Sequence, residues 1–312
     1  TKQARDIQPK ALASGEKLRF NWNSPIHQSP SEPGVIYIAA QYLFRTRDHG
    51  QSWERISPDL TSNDSKKQQQ ELSGGITVDN SSAEMHTTIY SISESPKNKN
   101  VIWVGTDDGQ IQVTRNGGAQ WTNLTRNLKD VPAHSWVSWI EASRFDEGTA
   151  YATFDRHTVG DMDPHVYRTR DFGASWERIA GKAQGLRGYA HVIKEDSVDP
   201  DLLFVGTELG LWISIDGGKR WAEFKGGNFP AAAVRDIAVQ ARENDLVLAT
   251  HGRGIWIIDD VSSLRQLDEG FLAREAGFLS ARPVQQRIGG VGGWSEGDAK
   301  FLGENPPGGA VI

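Results

Sequence analysis

Carboxylates at two turn-like positions are the first residues of this sequence whose types and spacing could do chemistry. Asp107 and Asp108 follow an apolar run and precede Gly109, and Glu208 stands at the corresponding place after a later apolar run. Two carboxylates ~5 to 9 Å apart can cleave a glycosidic bond, one acting as acid and the other as base or nucleophile. These three residues are therefore candidate catalytic groups, provided that the fold brings their turns together.

A second set of residues has the mixed charge that suits ligand binding. His251 and Arg253 alternate with glycines, and Asp155, Arg156 and His157 open an insertion that runs to residue 165. Each of these five also has an ordinary structural explanation, since turns use such side chains to bond neighbouring backbone. The sequence alone leaves both interpretations open, and we treat the five as candidate ligand-binding residues.

Several other chemistries lack the residues that they need. The chain has no cysteine, so it has no disulfide, thiolate metal site or cysteine nucleophile. Asp161, Asp163 and His165 are spaced in an oxygen-rich run but match no calcium-loop consensus, so we expect neither a metal nor a cofactor. Zinc-peptidase, esterase and phosphate-loop motifs are missing. The net charge of −6 and the absence of basic runs argue against nucleic-acid binding, and no apolar run reaches the ~20 residues of a membrane span.

A sequence motif that occurs four times predicts the strands and turns that must position these residues. Its pattern is [ST]-x-[DN]-x-G-x-x-W, and each copy lies between two short strand-like runs. An aspartate or asparagine side chain can bond nearby backbone N–H groups, and glycine takes the positive φ that a tight turn needs. We therefore predict that the aspartates and asparagine hold turns and that the tryptophans open the following strand. The residues are Asp48 with Trp53, Asn116 with Trp121, Asp171 with Trp176, and Asp216 with Trp221.

With two insertions removed, the repeat measures roughly 40 to 45 residues, the size of one four-stranded propeller blade. The prediction is an all-β β-propeller of four-stranded antiparallel blades, with about five blades in this chain and others completing a larger ring. Strands A to D of each blade place the B–C turns and D–A connectors on one rim, which also receives both insertions. The expected boundaries are residues 1–18 for a linker or preceding blade, 19–260 for the propeller, and 261–312 for a linker and the start of a C-terminal β-sandwich. The expected blades are 19–56, 88–124, 136–179, 189–224 and 234–260.

The phrase resembles the Asp-box of the bacterial neuraminidase repeat. Two longer stretches, Trp103-Val-Gly-Thr-Asp-Asp-Gly109 and Thr250-His-Gly-Arg-Gly-Ile-Trp-Ile-Ile-Asp-Asp260, are similar to a family of large exported bacterial proteins described as sortilin-like or as glycosyl hydrolases. The resemblance implies a β-propeller, an extracellular or periplasmic location, and partners in the remaining blades and C-terminal sandwich of a longer protein. The Phe-Arg-Ile-Pro-type phrase of sialidases is absent.

Because no catalytic set is recognisable, the sequence favours a non-catalytic propeller that binds or scaffolds a peptide, protein or polysaccharide. The alternative is a glycoside hydrolase acting on polysaccharide through Asp107, Asp108 and Glu208, with Asp155 as a further candidate. A third interpretation is an assembly chaperone similar to the photosystem II assembly propeller. In the binding interpretation, the ligand rests on the rim formed by the B–C turns and D–A connectors or in the central tunnel.

Overall fold

The computed structural model describes residues 4, 6–72, 85–280 and 283. It therefore omits residues 73–84 of the long connector and nearly all of the expected start of a sandwich after residue 280. The described part is all-β apart from short helical turns. The strands in chain order are β1 (Ile26–Gln28), β2 (Ile36–Ala39), β3 (Leu43–Thr46), β4 (Glu54–Arg55), β5 (Ile89–Ser95), β6 (Asn98–Thr106), β7 (Ile111–Thr114), β8 (Thr122–Asn123), β9 (Trp136–Ala142), β10 (Ala150–Asp155), β11 (His165–Thr169), β12 (Glu177–Ala180), β13 (Ala190–Glu195), β14 (Leu203–Thr207), β15 (Gly210–Ser214), β16 (Ala222–Glu223), β17 (Val234–Gln240), β18 (Asp245–Thr250) and β19 (Ile255–Ile258).

These strands form separate sheets in which each strand pairs antiparallel with its sequence neighbour. Four sheets have four strands, β1–β4, β5–β8, β9–β12 and β13–β16, and within the described residues β17–β19 form a three-stranded fifth. The first strands of successive sheets pack side by side, β5 on β9, β9 on β13 and β13 on β17. The predicted four-stranded antiparallel units are therefore present, with their first strands lining one common space.

Helical segments are short and lie in the connections. The single α-helix of the described residues, α1, is Glu269–Leu272, capped by the side chain of Asp268. The 3₁₀ turns are Ser65–Lys67, Gln70–Leu72, Thr125–Asn127, His157–Val159, Lys182–Gln184 and Val261–Gln266. One of them, His157–Val159, occupies the predicted insertion and so places His157 two residues after the end of β10.

The hydrophobic core lies between neighbouring sheets. Tyr37 and Leu43 of the first sheet share a buried cluster with Ile92 and Val104 of the second. Three further clusters fill the interfaces between the second and third, third and fourth, and fourth and fifth sheets. Strands β10 and β14, and β6 from residue 101 onwards, are buried on both faces, which explains their largely apolar runs.

Buried glutamates tie the sheets together at the end of the arc opposite the B–C turns. Glu94, near the end of β5, accepts the Tyr37 hydroxyl of the first sheet at 2.7 Å. Glu195, at the end of β13, accepts the Tyr151 hydroxyl of the third sheet at 3.0 Å, and burial raises the pKa of the Glu195 carboxyl. A buried glutamate that accepts a tyrosine hydroxyl of the preceding sheet thus joins two pairs of neighbouring sheets.

The turns between third and fourth strands contain the repeated phrase. Asp48 accepts hydrogen bonds from the backbone N–H and hydroxyl of Ser52 at 2.9 and 2.6 Å, while the Thr46 hydroxyl accepts the N–H of Gly50 at 2.9 Å. Gly50 has φ +82°, in the left-handed region that favours glycine. Equivalent side-chain to backbone contacts form from Gln120 to Asn116 at 2.8 Å, from Ser175 to Asp171 at 2.9 Å and from Arg220 to Asp216 at 2.9 Å.

The tryptophans after these turns contact the sheet, or the N-terminal segment, that precedes them. Trp176 packs edge-on against Trp103 with ring centroids 6.2 Å apart. The other three donate their indole N–H to backbone carbonyls: Trp53 to Ile7 at 2.6 Å, Trp121 to Ile56 at 3.0 Å and Trp221 to Ile179 at 2.9 Å.

Candidate functional site

The B–C turns and D–A connectors of the first three sheets enclose a cavity of about 650 Å³, which we call the rim cavity. This is the rim that the sequence predicted to carry function. Its wall contains Trp22, whose surface is 68% exposed. The lining residues are Asn21, Trp22, Asn23, Lys67, Met85, His86, Tyr90, Asp107, His134, Trp136, Asp155, Arg156, Thr158 and Val159.

Asp107 lies in the wall of the rim cavity, directly after β6. Its Oδ1 accepts the backbone N–H of Thr88 at 2.8 Å, and its Oδ2 accepts the Thr88 hydroxyl at 2.6 Å and the Asn21 amide at 3.2 Å. The Nδ1 of His86 lies 3.5 Å from the same Oδ2. The hydrogen bond with Asp107 raises the pKa of His86 against the opposing effect of burial.

Asp155 occupies the equivalent place in the next sheet, as the last residue of β10. Its Oδ1 bonds both the backbone N–H of His157 at 3.0 Å and the Nδ1 of that ring at 2.5 Å. Its Oδ2 lies 3.2 Å from Nδ1 of His191 and 3.8 Å from Nη1 of Arg235. Burial alone would raise the pKa of Asp155, but hydrogen bonds from His191 and His157 together lower it, so the carboxylate is ionised at neutral pH.

Planar side chains surround this carboxylate. The His157 ring stacks on Tyr189 with centroids 4.6 Å apart and an interplanar angle of 21°. Arg235 donates to the Tyr189 hydroxyl at 2.8 Å, and its Nη1 lies 3.0 Å from Nδ1 of His191. Burial, the largest effect, lowers the pKa of His191, so its ring is neutral and its tautomer decides whether Nδ1 donates to Asp155 or accepts from Arg235.

A larger space of about 990 Å³ runs along the first strands of the sheets, and we call it the channel. It shares Asn23, Tyr90, Trp136 and Thr158 with the rim cavity, so the two spaces meet at the Tyr90–Trp136 pair, whose rings are 4.6 Å apart edge-to-face. Deeper in the channel, Lys194 is paired with Glu141 at 2.7 Å. A ligand in the rim cavity can therefore extend towards the axis of the arc.

The residues that begin the first strands carry no motif in the sequence, yet they line the channel. Tyr90, Trp136, His191 and Arg235 stand at the first or second position of β5, β9, β13 and β17 and all line the channel. Their common position within the repeat was a usable signal, since corresponding positions of a propeller converge on one axis.

The structure separates the three carboxylates that were proposed as a catalytic set. Asp107 faces the rim cavity, but Asp108 is wholly buried, where it accepts the backbone N–H of Ser62 at 2.7 Å and the hydroxyls of Ser62 and Thr106. Glu208 lines neither the rim cavity nor the channel. Asp108 thus anchors the connector, and the cavity brings Asp107 together with Asp155 instead.

Four of the five candidate ligand-binding residues divide between the two spaces. Asp155 and Arg156 line the rim cavity, and His157 and His251 line the channel. Arg253 is exposed and lines neither space; its carbonyl accepts the Trp256 indole N–H at 2.9 Å. The ligand-binding role of all five stays a prediction.

The acidic insertion contains bonded side chains in place of an open ligand set. Asp161 accepts from Nε of Arg156 at 2.9 Å and contacts Nε2 of His165 at 3.0 Å. Over residues 4, 6–72, 85–280 and 283, no group of three or more histidine, aspartate or glutamate side chains is arranged to hold a metal ion. Across that same part of the chain, no helix has the length and apolarity to cross a membrane.

Comparison with known proteins relates this geometry to a fold. No family model matches the chain. The oligoxyloglucan-reducing end-specific xyloglucanase of Emericella nidulans is 22% identical over 285 residues, which cover 82% of this chain and 33% of that enzyme. The chain thus spans about a third of the length of the curated relatives that it matches.

Solved structures with a similar fold include a xyloglucanase and the extracellular domain of a two-component system. The GH74 xyloglucanase of Xanthomonas campestris aligns over 88% of this chain and 39% of its own, with a TM-score of 0.55 and 14% identity. The extracellular domain of a hybrid two-component system of B. thetaiotaomicron aligns over 80% of this chain and 29% of its own, with a TM-score of 0.50 and 18% identity. The all-β sheets and these neighbours confirm a β-propeller-type fold.

Proposed function

We propose that this chain is part of a glycoside hydrolase that acts on a polysaccharide at the rim cavity. The observation that carries the proposal is the composition of one cavity wall. The carboxylates Asp107 and Asp155 line the same space as the aromatic rings of Trp22, Tyr90 and Trp136. Carboxylates supply the proton transfers of glycoside cleavage, and aromatic faces pack against the apolar faces of sugar rings.

The relatives support this proposal and indicate a substrate class. Both curated relatives are named as xyloglucanases, which favours the hydrolase alternative over the non-catalytic interpretation that the motifs favoured. The substrate that we propose is therefore a polysaccharide of the xyloglucan type.

A non-catalytic glycan-binding propeller is the second candidate, and one observation favours it. The side chains of Asp107 and Asp155 are only 7% and 0% exposed, and each of their oxygens already has a protein partner. Tightly bonded carboxylates of this kind can shape a binding surface without reacting. In that case the aromatic rings would capture polysaccharide and no bond would be cleaved.

The wider organisation is also a proposal. We expect the five sheets to belong to a larger ring in a longer exported protein with a C-terminal sandwich, and the four turns to be Asp-boxes. The relatives support a longer protein, because each is about three times the length of the aligned region. The sortilin-like and bacterial assignments rest on the sequence motifs alone.

Incubation with a panel of neutral and acidic polysaccharides tests the function. We expect new reducing ends from xyloglucan, and Trp22→Ala should weaken xyloglucan binding about threefold to tenfold through loss of ~1 kcal/mol of aromatic stacking. Phe278→Ala, which removes an 88% exposed ring that lines neither space, is the matched control and should bind normally.

Binding without any release of reducing ends would establish the non-catalytic candidate instead. If the chain neither binds nor cleaves any member of the panel, both candidates are wrong. Equal losses in Trp22→Ala and Phe278→Ala would show that the rim cavity is not the binding surface.

A further inference from the structure

Side chains from the third, fourth and fifth sheets meet where the rim cavity joins the channel. Asp155 ends β10, His191 is the second residue of β13 and Arg235 is the second residue of β17. Trp136, which lines both spaces, packs edge-to-face on the His191 ring with centroids 5.8 Å apart. Nδ1 of His191 lies 3.2 Å from Oδ2 of Asp155 and 3.0 Å from Nη1 of Arg235. A ligand that extends from one space into the other therefore passes close to this cluster.

The His191 Nδ1 atom cannot satisfy both of these neighbours, because a ring nitrogen either donates or accepts a hydrogen bond. If it accepts from Arg235, Oδ2 of Asp155 faces a lone pair, and Nη1 of Arg235, 3.8 Å from that oxygen, is too distant for a hydrogen bond. If it donates to Asp155, its hydrogen opposes the N–H groups of Arg235, and Nη1 loses His191 as an acceptor. Either Asp155 or Arg235 is therefore left without a bond to His191.

Burial decides which of the two is left without that bond. The Asp155 side chain is 0% exposed, whereas the Arg235 side chain is 30% exposed and lines the channel. A buried carboxylate oxygen that lacks a donor has no water to replace it, while water or a ligand can accept from a guanidinium N–H in an open channel. The Nδ1–H of His191 therefore donates to Asp155, and Nη1 of Arg235 keeps N–H groups that can reach a ligand.

Arg235 thus offers hydrogen-bond donors whose positive charge is already matched. Its Nη2 donates to the Tyr189 hydroxyl at 2.8 Å, which fixes the guanidinium in place. Its charge lies 3.8 Å from the Asp155 anion, and burial, which lowers the pKa of His191, keeps the ring between them neutral. An uncharged oxygen acceptor such as a sugar hydroxyl therefore suits Nη1 better than a second anion would.

We infer that Arg235 binds a hydroxyl oxygen of the polysaccharide in the channel, and that His191 is a positioning residue which leaves Nη1 of Arg235 free for that bond. The inference rests on the proposed hydrolase function and extends it, because it assigns a binding residue to the sugar units that continue from the rim cavity into the channel. Arg235 contacts the ligand and takes no part in breaking the glycosidic bond. Its loss should therefore weaken substrate binding and leave the chemical step nearly unchanged.

Arg235→Lys tests the binding role. Lysine keeps a positive charge beside Asp155 and removes the planar fork of donors. We expect KM for xyloglucan to rise about tenfold while kcat stays within about threefold of wild type, because the bond is made in the ground state and the transition state alike. Arg187→Lys is the matched control: the side chain of this arginine is 59% exposed, pairs with Glu223 at 2.7 Å and lines neither space, so KM should not change.

The positioning role of His191 has its own readouts. Nitrogen-15 NMR of the wild-type chain should show the ring proton of His191 on Nδ1 and none on Nε2. His191→Phe removes the donor, so Arg235 should turn to Asp155 and KM should rise about tenfold, as in Arg235→Lys. His191→Asn supplies an amide N–H in place of Nδ1–H and should keep KM close to wild type. A histidine that only filled space would give the opposite order, because phenylalanine keeps the ring.

Three results would overturn the inference and leave polysaccharide cleavage intact. The first is a wild-type KM in Arg235→Lys, and the second is a proton on Nε2 of His191 in place of Nδ1. The third is binding of oligogalacturonides about tenfold more tightly than xyloglucan oligosaccharides of the same length, which would show that the channel selects an anion. If Arg235→Lys does not fold, the Nε–H NMR signal of Arg235 in the wild-type chain replaces KM. A shift of that signal at saturating xyloglucan oligosaccharide supports the inference, and an unchanged signal contradicts it.

Failure of the proposed function gives a different pattern. A wild-type chain that binds xyloglucan and releases no reducing ends would remove the hydrolase function. The same variants would then be compared by Kd, where Arg235→Lys should still bind about tenfold more weakly. A wild-type chain that binds no oligosaccharide would remove the function and the inference together.

Discussion

Aspartates lie at both rims of these sheets, and the two rims hold them differently. In the turns between third and fourth strands, Asp48 bonds Thr46 and Ser52, all within one turn. At the B–C rim, Asp107 bonds Asn21 and Asp155 contacts Arg235, across 86 and 80 residues of sequence respectively. The turn aspartates serve local structure, while the rim aspartates collect side chains from several sheets.

Because the two kinds of aspartate differ in burial, their loss should cost different amounts of unfolding free energy. A turn aspartate faces solvent, which can replace any hydrogen bond that it loses. Asp155 has no solvent access, so its charge depends on His157, His191 and Arg235. Removing a buried charge leaves its partners without compensation, and that cost is much larger than a surface loss.

The largest effect should follow Asp155→Ala. We expect a loss of about 3–5 kcal/mol in the free energy of unfolding, because Arg235 and two histidines would lose a buried anion. Urea unfolding measures the loss, and Asp48→Ala at the opposite rim is the comparison and should cost less. Similar losses of unfolding free energy for the two variants would mean that the contacts of Asp155 stabilise the fold no more than the turn contacts of Asp48.

A smaller effect should follow Asp108→Ala, which tests the connector. The substitution leaves the N–H and hydroxyl of Ser62 without their acceptor, which should cost about 1–3 kcal/mol of unfolding free energy. It should also make residues 57–72 more sensitive to brief proteolysis. Asp108→Asn retains one acceptor oxygen and should show intermediate cleavage; a connector as resistant as wild type in Asp108→Ala would contradict the anchoring role.

How much the sequence could predict follows the same division. The repeated phrase fixes contacts within four or five residues of chain, so the turn at Asp48 and the antiparallel units could be inferred from local chemistry. The grouping of Asp107 with His86 and of Asp155 with His191 depends on which sheets become neighbours. No local pattern records that, so the sequence offered Glu208 as a partner for Asp107, although Glu208 lines neither the rim cavity nor the channel.

Burial was the other missing quantity. Asp107 and Asp108 are adjacent and chemically equal in sequence, yet one lines the rim cavity and the other is closed inside. Alternation along the chain points neighbouring side chains in opposite directions at the end of a strand. The alternation predicts that Asp107 and Asp108 point in opposite directions, but it does not predict which of them faces the cavity.

The smallest expected effect is a difference in the pH windows of the two rims. The bond with Asp107 raises the pKa of His86 above 6.5, so this pair contributes stability that is fully present below pH 6.5 and is lost as the pH rises through the folded pKa. The Ser52 hydroxyl and N–H lower the pKa of Asp48 from 3.8 to about 2, so its contribution is present above pH 3.8 and is lost as the pH falls towards 2.

Thermal melts of wild type, His86→Asn and Asp48→Asn from pH 2 to 9 should therefore differ at opposite ends of the range. His86→Asn should flatten the decline above pH 6.5 and leave the acid side unchanged, and Asp48→Asn should do the reverse. If either variant altered both ends, the two rims would be coupled, and the division between local turns and a collected site would have to be abandoned.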